Sequence, residues 1–209
     1  LLKKYNNLDC HAFDYSINNL PNKHNRIHFN KKFIGINNDE KYTNLKTYFN
    51  NFKNIFLKLD IEGSEFNWLN QLNDEDFNNI GQFVIEFHYY QNINKKFEIF
   101  KKINKHFYLV HFHSNNCRKK NNNDGLFNVN NNNYKIPWVF ECTYINKKYI
   151  NDIKLNNNNV PDNKLDFKNV RTNEDISLNF NPFKFSNEKI ITFIPADSGP
   201  GNQIIGIKE

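Results

Sequence analysis

Short apolar runs alternate along the chain with segments whose apolar positions recur three or four apart, and most of the runs stop on a charged or imidazole side chain. Leu8 to Tyr15 reads as a first strand, with Ala12 and Phe13 leading to Asp14. Arg26 to Phe29 and Lys32 to Ile36 are short strand-like pieces. Tyr42, Leu45, Tyr48, Phe49 and Phe52 recur at helical spacing and predict an amphipathic helix. Ile55 to Leu59 then reads as a short buried strand, and Asp60, Glu62 and Gly63 fall where the chain leaves it. A helix starts near Ser64, continues through Phe66, Leu69 and Leu72, and is ended by Asn73 and Asp74. Gly81 to His88 is apolar on both faces until its last three residues, the pattern of a central parallel strand covered on both sides. Ile93, Phe97, Phe100 and Ile103 mark another amphipathic helix. His106 to His113 is a further strand, running into Ser114, Asn115 and Asn116. Trp138 to Ile145 is the next, with Glu141 in its middle.

Strand, helix, strand, helix, strand, with polar groups gathered at the exits, is the sequence form of a doubly wound α/β sheet. Ligands in such sheets bind at the carboxyl ends of the parallel strands. Asp60, Glu86, His88 and His113 all fall at predicted exits, and Glu86 and His88 share one face. The plain alternative for each is a charged turn facing water. Lys58 lies two residues before Asp60 on the buried strand; an ammonium there requires a carboxylate partner, with Glu86 or Glu62 the natural candidate.

Composition alters this picture little. The 209 residues hold 38% apolar side chains, including 21 Phe and 10 Tyr but no Met, so one aromatic-rich core is expected. Asparagine makes up about a fifth of the chain, in runs such as 121–123, 130–133 and 156–159 that read as loop expansions. The net charge of +6 permits an anionic partner, yet no stretch interleaves Lys and Arg with aromatics as an RNA-binding face does, so nucleic acid is not the expected partner. Three widely spaced cysteines, Cys10, Cys117 and Cys142, fit free thiols in a reducing, cytoplasmic setting and neither a disulfide framework nor a zinc site. No apolar stretch is long enough to span a membrane.

The segment Leu57-Lys58-Leu59-Asp60-Ile61-Glu62-Gly63-Ser64-Glu65 resembles the fourth-strand signature of the FkbM-type, class I S-adenosylmethionine-dependent methyltransferases. Val84-Ile85-Glu86-Phe87-His88, His111-Phe112-His113-Ser114-Asn115-Asn116 and Pro137 to Tyr144 follow in that family's order. The resemblance covers roughly residues 8 to 150. It implies a Rossmann-like, mostly parallel sheet with an antiparallel strand near its C-terminal end, and S-adenosylmethionine as cofactor. Phe13-Asp14 is similar to the acidic end of that family's second strand, which implies Asp14 as the ribose contact, with Asp60 and Glu62 as further cofactor contacts. The family's glycine-rich loop has no counterpart here: the seven glycines form no GxGxG arrangement. Either the loop lies upstream of Leu1, as a fragment without Met suggests, or the domain is degenerate.

The activity so implied is O-methylation of a small-molecule or glycan hydroxyl by in-line transfer, which requires a base to remove the acceptor proton. His88 and His113 are the candidate bases, Asp60 is a base or an orienter of imidazole, and Glu86 holds the acceptor or fixes a histidine. No metal site is assigned, because the spacing of Asp60, Glu86, His88 and His113 matches no dedicated metal motif. The alternative is a non-catalytic methyltransferase-like scaffold or glycan-binding module. Residues 151–188 read as an Asn-rich linker or irregular extension. In 189–209, Lys189 to Pro195 reads as a strand followed by a turn, either closing a hairpin with Ile204 to Ile207 or opening a second domain resembling fucosyltransferase-type glycosyltransferases.

Overall fold

The computed structural model describes residues 3–5, 8–88, 93–119, 124–129, 134–154 and 158–184. The strand and turn expected within 189–209 lie outside these. In chain order the strands are β1 (Cys10–Phe13), β2 (Ile27–Asn30), β3 (Phe33–Ile34), β4 (Tyr42–Thr43), β5 (Ile55–Leu59), β6 (Ile80–His88), β7 (Phe107–Ser114), β8 (Leu126–Val129), β9 (Tyr134–Pro137) and β10 (Val139–Asn146). The helices are α1 (Lys46–Asn51), α2 (Glu65–Gln71), α3 (Asp74–Asn79) and α4 (Ile93–His106). The chain is α/β with a mixed sheet, ordered β5-β6-β10-β7, in which β5 and β6 are parallel and β10 runs antiparallel to both neighbours. β1 and β2 form a separate parallel pair.

Helices cover one face of the sheet, among the described residues. Both crossovers, β5 to β6 through α2 and α3 and β6 to β7 through α4, step the same way along the sheet, and right-handed connections then fall on the same side. Leu59, Phe83, Ile85, Phe87, Phe107, Phe140, Cys142 and Tyr144 point into that side, against Phe66, Trp68, Leu69, Phe77, Ile99 and Ile103. Each such side chain stabilises the fold by roughly 1.5–3 kcal/mol on burial. The opposite face carries Phe56, Lys58, Gln82, Val84, Glu86, Thr143 and Ile145, which are exposed or half-buried.

Four expectations are corrected. The arrangement is not doubly wound among the described residues, and β6 is not covered on both sides: burial alternates along it, because Val84 faces the open side while Phe83, Ile85 and Phe87 face the helices. Lys58 is exposed on that open side, with no carboxylate in ion-pair contact among the described residues, so it needs no buried partner. Asn73 does not merely end a helix. It caps α3 with a reciprocal capping box, its side chain accepting from Asp76 N–H while Asp76 accepts from Asn73 N–H.

Residues 158–184 carry no helix or strand and lie along β7, an edge strand of the sheet. Asn116 is the hub. Its side chain donates to the Val170 carbonyl at 3.0 Å and accepts from Val170 N–H at 2.8 Å. Ser114 donates to the Ile176 carbonyl, and Ile176 and Leu178 are buried. The hairpin of β8 and β9, which the Asn-rich loops conceal in the sequence, precedes β10.

Candidate functional site

The turn between β5 and α2 is held in an unusual path. Glu62 has φ of 53° and Gly63 φ of 101°, so two consecutive residues occupy the left-handed region, which only glycine enters without cost. What closes the turn is the carboxylate of Glu65, 0% exposed, whose Oε1 accepts from Ile61 N–H at 3.3 Å and Gly63 N–H at 3.0 Å. Ser64 occupies the N-cap position of α2 but makes no side-chain cap bond; Glu65 accepts from the turn's donors instead.

Glu65 Oε1 also lies 3.1 Å from Nδ1 of His88. A carboxylate can only accept, so Nδ1 carries the proton and the ring is fixed in orientation. His88, 7% exposed at the end of β6, sets its Nε2 3.4 Å from Oε2 of Glu62. One turn and one strand end are thus joined through a single buried carboxylate.

Asp60, Glu86 and His88 converge here, their ligating atoms all within 4.8 Å of one another. Asp60 leaves β5 one residue past the Leu59–Ile85 pair, which sets it beside Glu86 at the carboxyl ends of two adjacent parallel strands. Glu86 is half-buried and its Oε1 accepts from Asn115 Nδ2 at 2.6 Å. Burial pushes its carboxyl above the ordinary range, against the lowering effect of the Asn115 bond, and the charges of Asp60 and Glu141 push it further. Glu141 lies directly across from Glu86 on β10, and His113 directly across from Glu141 on β7.

The remaining predicted residues do not join the cluster. His113 sits two strands from β6, buried, with Nε2 3.7 Å from Asp175 and no hydrogen-bond partner among the described residues. Asp14 ends β1, in a different sheet, where Oδ1 accepts from Ser16 Oγ at 2.6 Å and Ser16 N–H at 2.7 Å; these bonds hold its carboxyl below the ordinary range. A depression of about 420 Å³ on the helical side, lined by Asn70, Glu98, Ile99, Lys101, Lys102 and Lys105, holds none of the candidates.

Two contributors escape sequence reasoning. Glu65 reads there only as an acidic first residue of a helix, and nothing in its spacing announces that it is buried. Asn115 is one polar residue among several at a strand exit, and only the adjacency of β10 to both β6 and β7 brings it to Glu86. No helix among the described residues is long and apolar enough to cross a membrane. The chain matches no protein-family model, no curated protein and no solved structure.

Proposed function

We propose that this chain carries the acceptor-activating side of an S-adenosylmethionine-dependent methyltransferase that O-methylates a hydroxyl of a sugar or glycan. The observation that carries the reading is the convergence of Asp60, Glu86 and His88 at the carboxyl ends of adjacent parallel strands. The antiparallel β10, between β6 and β7, also agrees with the sheet that the family resemblance implies.

The fit to the cofactor is partial. Asp14, the residue the resemblance assigns to the ribose, lies just past β1 in a different sheet from the cluster, with Oδ1 already accepting both Ser16 bonds. Among the described residues, however, no glycine-rich turn follows β1, and Gly63 is the single glycine in the turn after β5, its N–H already donated to Glu65, so the described residues offer no glycine-rich cradle for the methionine end. When bound, the cofactor would supply an electrophilic methyl group. What the chain's own residues do is receive a hydroxyl at the open edge beside Asp60 and take up its proton. Glu65 holds the His88 ring in place, and the exposed carboxylate of Glu62, 3.4 Å from His88 Nε2, stands beside the cluster to receive the proton. The missing cradle favours a second reading, a non-catalytic methyltransferase-like scaffold or glycan-binding module.

The two separate by experiment. The protein is incubated with methyl-labelled S-adenosylmethionine and hydroxyl-bearing glycans, and cofactor binding is followed by calorimetry. Label in an alkali-stable ether, lost in Asp60→Asn, supports the enzyme. Glycan binding with no cofactor heat and no label supports the scaffold.

A further inference from the structure

We infer that Asp60, Glu86 and His88 form a binding site for a divalent cation, with Mn²⁺ the best match to two carboxylates and one imidazole. Oxygen and nitrogen ligands about 2.1–2.5 Å from a central ion lie roughly 3 Å apart when adjacent and nearly 5 Å apart when opposite. The spread of at most 4.8 Å falls within that range.

Three further observations point the same way. First, each of two ligands is held from behind, as ligands of bound metals generally are: His88 by Glu65 on Nδ1, and Glu86 by Asn115 on Oε1. Second, the second oxygen of Glu65, in a side chain that is 0% exposed and packed against His88, has no hydrogen-bond partner among the described residues. A buried carboxylate oxygen without a donor is costly unless positive charge is near. Third, charge is unbalanced. Asp60, Glu62, Glu65 and Glu86, with Glu141 across the strand, gather here, and none has a Lys or Arg in ion-pair contact among the described residues. Lys96 acts on Glu65 only at longer range. A cation answers this surplus.

The site stands on its own geometry; its use in catalysis rests on the methyl-transfer reading. In that use the acceptor oxygen binds the ion, which lowers the hydroxyl pKa. The O–H bond would then break with its proton passing to the exposed carboxylate of Glu62 beside the imidazole, and as the oxygen bonds to the methyl carbon the methyl–sulfur bond would break, its electron pair leaving on the sulfur of the demethylated, neutral thioether.

Metal-free protein is titrated with MnCl₂ by calorimetry, with MgCl₂ as an oxygen-preferring comparison, and bound Mn²⁺ is examined by pulsed electron paramagnetic resonance. The expected result is one Mn²⁺ per chain, bound more tightly than Mg²⁺, with nitrogen modulation from one imidazole. Asp60→Asn, at an exposed position where folding is insensitive, should weaken Mn²⁺ at least tenfold, and Glu65→Gln about tenfold through the imidazole it holds. Asp74→Asn, an exposed carboxylate on α3, should leave the affinity unchanged. Absence of binding, absence of nitrogen modulation, or equal affinity in Asp60→Asn overturns the inference. Cofactor binding without Mn²⁺ binding removes the ion and leaves the methyltransferase; Mn²⁺ binding without cofactor binding does the reverse.

Discussion

Removing the carboxylate of Glu65 tests how the site is built. Its Oε1 accepts from Ile61 N–H, Gly63 N–H and His88 Nδ1–H, so Glu65→Ala leaves three donors without their acceptor. At about 1 kcal/mol net for each bond, the substitution costs about 3 kcal/mol. For a chain of 209 residues that corresponds to a fall in Tm of roughly 6–12 °C. Glu65→Gln keeps a carbonyl acceptor and should lose only about 1 kcal/mol. Urea unfolding followed by the fluorescence of Trp68, which is fully buried, measures both. Nitrogen-15 correlation spectra of the His88 ring supply the second readout: the Nδ1–H form dominates in the parent and in Glu65→Gln, and the Nε2–H form gains in Glu65→Ala. A loss below about 1 kcal/mol in Glu65→Ala, with the ring tautomer unchanged, would refute the claim that this carboxylate organises the turn and the imidazole together.

Two further outcomes follow from the packing and the charge. In metal-free protein, Glu86→Gln should gain stability over the parent as pH rises. The folded-state pKa of Glu86 is raised, chiefly by burial, so the parent is most stable where the carboxyl is protonated and loses that contribution as pH climbs from the ordinary carboxylate range through the raised value. The difference between the two proteins, read from urea midpoints across that window, should grow and then level off; a flat difference contradicts the burial argument. Leu178→Ala should cost about 2–5 kcal/mol in the same assay, because Leu178 is wholly buried although it lies in an irregular segment. A loss under about 0.5 kcal/mol would mean that residues 158–184 do not share the core.

The sequence by itself determined the order of the main strands and helices. Alternating apolar periodicities are a local consequence of backbone geometry, and they place Leu59, His88 and Ser114 near the ends of their strands whatever the fold. It also marked Asp60, Glu86 and His88, because polar side chains at the ends of apolar runs are visible in one dimension. Burial and adjacency are not. Lys58 reads as buried from its apolar neighbours, yet it faces open water because both crossovers place their helices on the other side of the sheet. His113 reads as a companion of His88, but the insertion of β10 sets a strand between β6 and β7. Glu65 looks like an ordinary helix-start residue, and only the meeting of the β5–α2 turn with the end of β6 makes it the buried acceptor that fixes the imidazole. The residues were chosen by local pattern; their chemistry was decided by which strand ends the tertiary fold brought side by side.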